Sequence, residues 1–159
     1  MKAVDTVGLF SLRKREMVWN LTKSSHTQHD ARLLSNGNLL LFDNWGNHDF
    51  QFSPEVRLIH DDFSSQVVEL DPFSQEVVWK YGENENEEFF SQCCGRNQRL
   101  SNGNTLITHT KKGRAFEVTK EGEVVWEYVN PANSVRRKAK VASLYLERVE
   151  RGLEPFWND

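Results

Sequence analysis

Several features that mark other protein classes are missing from this chain of 159 residues. Its two cysteines, Cys93 and Cys94, are adjacent, and adjacent cysteines rarely bridge because the geometry is strained, so no disulfide framework is expected. No run of about 18 apolar residues occurs, so we expect no membrane span. The first residues lack a continuous apolar core, so no signal peptide is expected and the compartment is left open. The net charge of −3 gives no support for nucleic-acid binding.

What is present is the composition of a folded domain. Apolar residues make up 38% and aromatic residues 11% of the chain, and five residues are tryptophan. The length suits one ordinary domain or a part of a larger one.

Internal repetition is the most informative feature of the sequence. The stretch "VGLFSLRKREMVW" (7–19) aligns without gaps with "VVELDPFSQEVVW" (67–79), and "AFEVTKEGEVVW" (115–126) is a third copy, one residue shorter. A second motif, Leu-Ser-Asn-Gly-Asn, begins at Leu34 and again at Leu100. Asn36-Gly37 and its copy predict tight type I′ hairpin turns, in which both central residues have positive φ.

These copies predict an all-β fold made of short strands. The expected strands are 5–11, 16–21, 28–34, 38–43, 66–71, 76–81, 97–100, 104–109, 114–119 and 123–128. They form half a unit (5–21) and two four-stranded meanders (28–81 and 97–128), which is typical of the blades of a β-propeller. A β-sandwich with fortuitous repeats is the alternative. In the propeller, Trp79 and Trp126 should be buried at equivalent positions.

The domain prediction is a partial β-propeller over 1–131, followed by a helix and tail over 132–159. Two and a half blades cannot close a ring, so we expect self-association or a requirement for additional N-terminal blades. In the tail, the 3–4 spacing of apolar residues predicts an amphipathic α-helix. These residues are Val135, Ala139, Ala142, Leu146, Val149 and Leu153. Its basic start is either a solvated face or a contact for an anion.

One end of the strands is expected to be the functional face. The turns at the other end are short and plain, whereas all five histidines, both cysteines and Arg96 lie in or beside the longer connections. Functional residues concentrate on loops that a rigid scaffold holds. The first copy alone has His26, His29 and Asp30 before its Leu-Ser-Asn-Gly-Asn motif, and Arg96 holds the position of Asp30 in the second copy.

Three stretches together resemble the arylsulfotransferase family: "QHDARLLSNGNLLLFDN", "SQVVELDPFSQEVVWKYG" and "QRLSNGNTLITHTKKGRAFEVTKEGEVVWEYVNP". The resemblance covers about residues 5–131 and is most specific at the His-Asp pair. It implies a six-bladed propeller, of which this chain is the C-terminal part. It also implies transfer of a sulfuryl group from a phenolic sulfate ester to a phenol through a sulfated histidine, without a nucleotide donor or other cofactor. Characterised bacterial relatives are periplasmic.

The position of the motif makes His29 the expected nucleophile. The expected substrate-binding or supporting residues are His26, Asp30, Asn44, Arg96 and His109. A neutral imidazole is a competent nucleophile near pH 7, and cations or N–H donors must hold the sulfuryl oxygens.

Other interpretations remain open at this point. The chain could be a non-catalytic propeller binding module or an inactive truncated fragment. His29 could be an ordinary strand-end histidine. His26, His29 and Asp30 could hold a metal, but an extended strand would splay these ligands, so no metal is expected. Asp43-Asn44 could be only the turn that ends a strand.

Overall fold

The computed structural model describes residues 6–22, 28–44, 64–82, 89–91, 93–131 and 146–148. Within these ranges the chain is all-β, with one 3-10 turn at Thr110–Lys112 and no α-helix. The strands are β1 (Thr6–Ser11), β2 (Glu16–Thr22), β3 (Gln28–Leu33), β4 (Leu39–Asp43), β5 (Gln66–Leu70), β6 (Val77–Tyr81), β7 (Arg96–Arg99), β8 (Thr105–His109), β9 (Arg114–Val118) and β10 (Val124–Val129). Each of the ten predicted strands is present, with its ends within one residue of the prediction.

The strands form three antiparallel sheets, none of which is closed. Strands β1 and β2 form a hairpin, β3 to β6 a first meander and β7 to β10 a second meander. In both meanders neighbouring strands in sequence are neighbours in space, so the chain runs from one edge of each sheet to the other. We call these three sheets the hairpin, the first meander and the second meander.

The Asn-Gly turns differ from the predicted type. Gly37 has φ 89°, but Asn36 is not among the residues with positive φ, so the turn is not type I′. The Leu34 N–H donates to the Asn38 carbonyl at 2.8 Å, which closes a three-residue loop with glycine in the left-handed position. The Asn36 side chain accepts from the Asn38 N–H at 3.0 Å, which explains the asparagine before the glycine.

The core consists of two hydrophobic layers between successive sheets. Alternate residues of a strand point to opposite faces, so the first meander contributes to both layers. Its Leu39, Leu41, Val68 and Leu70 pack with Val7 and Leu21 of the hairpin. Its opposite face packs against the second meander. This second layer contains Leu40, Phe42, Val67, Tyr81, Phe89, Ile107, Phe116 and Val118.

Three tryptophans occupy the same register in the three sheets. Each tryptophan lies on the last strand of its sheet (β2, β6 or β10) and pairs with a residue of the strand before it. Trp19 pairs with Leu9, Trp79 with Glu69 and Trp126 with Glu117. The expectation that Trp126 is buried is wrong, because 41% of its surface is exposed. Trp19 and Trp79 are half-buried, since each lies against the following sheet, whereas the described residues place no strand beyond Trp126.

The predicted C-terminal helix is not shown. Residues 146–148 fall inside the predicted helix and have no helical structure, and the rest of the segment lies outside the described residues. The three residues lie instead against the second meander. The Gln98 amide donates to the Arg148 carbonyl at 2.9 Å and accepts from the Arg148 N–H at 2.8 Å. No helix in the described parts of the chain could cross a membrane.

Candidate functional site

His29 lies at the start of β3, at the end of the first meander opposite the Asn-Gly turn. It pairs with Phe42 near the end of β4, and Asn44 follows two residues later. His29 is half-buried and Asn44 is fully buried. The two side chains meet, with 2.7 Å between His29 Nδ1 and Asn44 Oδ1.

The orientation of Asn44 is set by its other contacts. Its Nδ2 donates to the Ser91 carbonyl at 2.6 Å, so the amide oxygen must face His29. The Ser65 hydroxyl donates to the Asn44 carbonyl at 2.9 Å and accepts from the Ser91 N–H at 2.8 Å. Ser65 and Ser91 are both buried, so these hydrogen bonds form behind the histidine and away from water.

This arrangement selects one tautomer of His29. Because Asn44 Oδ1 can only accept, the proton of the neutral ring must be on Nδ1. The lone pair is then on Nε2, which is the nitrogen that can act as a nucleophile or bind a proton. The buried Asn44 amide therefore fixes the tautomer and orientation of the His29 ring, as a carboxylate does in other histidine sites, but without adding a negative charge.

His109 is a second histidine at the same end of the strands. It ends β8, is buried, and packs edge-on against Phe89 with 5.7 Å between the ring centroids. Burial, followed by the positive charge of Lys112, lowers its pKa to about 4, although a hydrogen bond with the Phe90 backbone opposes this. His109 is therefore neutral at pH 7, and its Nε2 is buried without a hydrogen-bond partner in the described structure.

Asp30 makes its hydrogen bonds with Arg32 and Asn97. It has φ 51° at a register shift in β3, and its carboxylate accepts from the Asn97 N–H at 2.9 Å and from Arg32 Nε at 3.2 Å. The Asn97 side chain also donates to the Asp30 carbonyl at 3.0 Å. Asp30 thus joins the first strands of the two meanders, and this positioning role was not predicted.

Arg96 begins β7, the strand that carries Asn97, and is half-buried. It lies close enough to Glu147 to help lower the pKa of that carboxyl, to which the hydrogen bond and charge of Arg32 contribute more. The remaining expected site residue, His26, lies outside the described residues. So do His48 and His60, the two histidines that were not expected in the site.

The Cys94 thiol is not activated. Cys93 and Cys94 are both reduced. A hydrogen bond with Cys93, followed by burial, raises the pKa of the Cys94 thiol, which lowers its thiolate fraction. No group of three histidine, cysteine or acidic residues among the described residues could hold a metal ion.

A cleft of about 780 Å³ lies between the two meanders at the opposite end from His29. Its lining includes Arg32, Asn36, Trp79, Arg99 and Lys120. Two of its polar contacts join the meanders: Arg99 binds Glu69 at 2.6 Å, and the Trp79 indole donates to the Lys120 carbonyl at 2.7 Å. Because the cleft lies at the other end of the strands, it is not part of the site around His29.

Sequence reasoning did not identify Ser65 and Ser91 as part of the site. Serines carry no pattern of their own, and the contact between residues 65 and 91 depends on loop conformation. The turn at 35–37 places residue 33 opposite residue 39, so His29 could have been expected near the end of β4. The register shift between His29 and Arg32, which sets the exact partner as Phe42, could not have been deduced.

These observations define an all-β protein of packed antiparallel meanders that presents a histidine of fixed tautomer at one end of its strands. The family model described as arylsulfotransferase (ASST) matches residues 9–131. The chain therefore belongs to the arylsulfotransferase family.

The other comparisons add little. No curated protein matches the chain. Among solved structures, a protein of unknown function from Bacteroides caccae is similar, with 17% sequence identity and a TM-score of 0.47. The match covers 79% of this chain and 39% of that one, so this chain spans less than half of its length.

Proposed function

We propose that the chain is a section of a β-propeller that transfers a sulfuryl group from a phenolic sulfate ester to a phenol, with His29 as the nucleophile. In this proposal the two meanders are neighbouring blades, the hairpin is half a blade, and residues 132–159 form a separate tail. The observation that supports it is the contact between His29 Nδ1 and Asn44 Oδ1, which directs the ring lone pair to Nε2.

The first step is attack of His29 Nε2 on the sulfur of the ester. The N–S bond forms while the S–O bond to the phenol oxygen breaks, and a phenoxide leaves. The ring keeps its Nδ1 proton and becomes a sulfated imidazolium. The Asn44 oxygen stabilises the positive charge that develops, because it already accepts the Nδ1 hydrogen bond before reaction.

The second step returns the enzyme to its starting state. The oxygen of the acceptor phenol attacks sulfur, the N–S bond breaks, and the proton that this phenol loses neutralises the phenoxide from the first step. A covalent intermediate replaces one difficult step with two easier ones. The loose transition state places charge on the sulfuryl oxygens, for which Arg96 is our candidate cation.

The test uses phenyl sulfate as donor and residues 1–159 as the protein. Mass spectrometry of the digested protein should find an added sulfuryl group on the peptide that contains His29. The variant His29→Asn should lose the adduct, and the control Lys14→Met, at an exposed position in the hairpin turn, should keep it. Phenyl sulfate that binds without an adduct would favour the binding module, whereas an adduct unchanged in His29→Asn would overturn the assignment.

A further inference from the structure

A repeated contact links each sheet to the next one. The Trp19 indole of the hairpin donates to the Pro72 carbonyl of the first meander at 2.7 Å. The Trp79 indole of the first meander donates to the Lys120 carbonyl of the second meander at 2.7 Å. The two acceptors are equivalent, because Pro72 is the second residue after β5, which ends at Leu70, and Lys120 is the second residue after β9, which ends at Val118.

The second meander holds the third tryptophan, but the described structure contains no acceptor for it. Trp126 occupies the register of Trp79 and is 41% exposed. Its neighbour Tyr128 is 39% exposed, whereas Tyr81 at the equivalent position is 7% exposed because the next sheet covers it. The outer part of this face, which we call the Trp126 face, thus lacks the sheet that covers its counterpart in the first meander.

The inner part of the same face is already covered. The Arg148 guanidinium binds Glu117 at 2.7 Å, as Arg99 of β7 binds Glu69 at 2.6 Å in the preceding junction. The Thr108 hydroxyl donates to the Leu146 carbonyl at 3.3 Å. Residues 146–148 therefore lie where β7 lies at the preceding junction. In the described part of the chain, nothing corresponds to β9 and β10 at this junction.

The hairpin is such a pair and has an open face of its own. By the alignment of 7–19 with 67–79, β1 and β2 correspond to β5 and β6. Among the described residues, no strands pair with this hairpin in the way that β3 and β4 pair with β5 and β6. Phe10 is 55% exposed, although its equivalents Leu70 and Val118 are buried by a preceding sheet. Leu12 corresponds to Pro72 and Lys120, so its carbonyl is the expected acceptor for a tryptophan indole.

We propose that the Trp126 face binds the hairpin of a second copy of this chain, with the Trp126 indole donating to the partner's Leu12 carbonyl. Each copy offers one Trp126 face and one hairpin, so a two-fold arrangement forms two identical junctions. Two copies contribute four meanders and two hairpins, which falls within the range of about four to eight blades that close a propeller. The interaction is independent of the proposed chemistry at His29.

The test is the mass of residues 1–159 in solution, measured by light scattering after size-exclusion chromatography. We expect a dimer across the micromolar range. Trp126→Ala should weaken dimerisation at least about tenfold, as substitution of a central aromatic contact does. Trp126→Phe should weaken it less, because only the indole hydrogen bond is lost. The control is Val124→Ala, which should leave the dimer intact, because Val124 pairs with Val118 and so lies on the face directed to the first meander.

A second set of variants identifies the occupant. Phe10→Glu should also give monomers, because it places a charge on the open face of the hairpin. An equal mixture of Phe10→Glu and Trp126→Ala should recover association, since one of the two junctions is then intact. All the substituted side chains are exposed, so circular dichroism should show an unchanged fold. A monomeric parent chain, or a dimer that resists Phe10→Glu, would overturn the proposal.

Discussion

Arg99 extends from the second meander to Glu69 of the first, with its guanidinium 2.6 Å from the carboxylate and 4.9 Å from the centroid of the Trp79 ring. Glu69 also accepts hydrogen bonds from Asn36 at 3.1 Å and Asn38 at 2.8 Å in its own sheet. One carboxylate therefore fixes the Asn-Gly turn and joins two sheets. Glu117 repeats the arrangement with Asn102, Asn104 and Arg148.

The Arg99→Met variant should lower the free energy of unfolding by about 2–4 kcal/mol, because it leaves the buried Glu69 carboxylate without its cation. Urea denaturation would measure this change. Lys14→Met is the control, since Lys14 and Glu16 form a pair that is mostly exposed and should be worth less than about 1 kcal/mol. If both variants lose the same free energy of unfolding, the buried Arg99–Glu69 pair contributes no more to stability than the exposed Lys14–Glu16 pair.

Asn44→Leu should release His29 from a single tautomer and slow sulfuryl transfer by on the order of 10²–10⁴-fold, as other losses of tautomer control do. Asn44→Asp should retain most of the tautomer preference, because a carboxylate also accepts from Nδ1. Nitrogen-15 chemical shifts of the His29 ring test the tautomer without reference to activity. A parent protein protonated on Nε2 would contradict the hydrogen-bond assignment.

Stability should fall as the pH drops from about 6.5 to about 4 because of His109. Its pKa is near 4 in the folded protein and 6.5 in the reference state, so the unfolded chain binds more protons in this interval. The stabilising effect is complete above pH 6.5 and is lost as the pH falls towards the folded value. His109→Leu should flatten the pH dependence of the urea midpoint in this window, whereas an unchanged slope would assign it to another group.

Glu117 should extend the loss of stability to lower pH. Burial opposes its ionisation, but hydrogen bonds from Asn102 and Asn104 and the charge of Arg148 outweigh burial and lower its pKa below 4.5. A carboxyl with a lowered pKa stabilises the fold above its unfolded value and loses that effect as the pH falls through the folded one. Glu117→Gln should remove this acid-dependent part, and Glu121→Gln, at an exposed position, is the control.

Gln75→Gly should stabilise the protein by about 0.5–1 kcal/mol. Gln75 has φ 61° in the β5–β6 turn, and Arg15 has φ 57° at the equivalent position of the hairpin, where a side chain is strained. The third turn has Gly122 there, with φ 90°. Gly122→Gln should therefore destabilise by a similar amount, and thermal unfolding of both variants provides the comparison.

The strands could be predicted from sequence because alternation, paired repeats and Asn-Gly signals all favour the same boundaries. The turn type could not, since Asn-Gly is compatible with both type I′ and a three-residue loop, and strand register decides between them. Trp126 was expected to be buried because repeats share a register. Whether such a tryptophan is exposed depends on the presence of a following sheet, and the local sequence pattern does not predict that.

For the site, the single-copy histidine motif made His29 the candidate nucleophile and Asn44 a candidate supporting residue, and the fold brings these two side chains into contact. Asp30 and Asn97 are 67 residues apart and lie in different meanders. Their contact therefore depends on sheet packing that sequence alone does not specify. The helix predicted for the tail rested on apolar spacing. Spacing does not reveal that Arg148 has a buried carboxylate as its partner.

Leu40 and Leu41 are consecutive in β4, yet they belong to different hydrophobic layers. Truncating Leu40 should loosen the junction with the second meander. Truncating Leu41 should loosen the junction with the hairpin. The three described sheets are thus packed in series, with one hydrophobic layer at each junction, so cooperativity depends on the coupling at each junction. A weakened junction would let the hairpin unfold by itself while the two meanders stay folded, a partial unfolding that hydrogen exchange would detect.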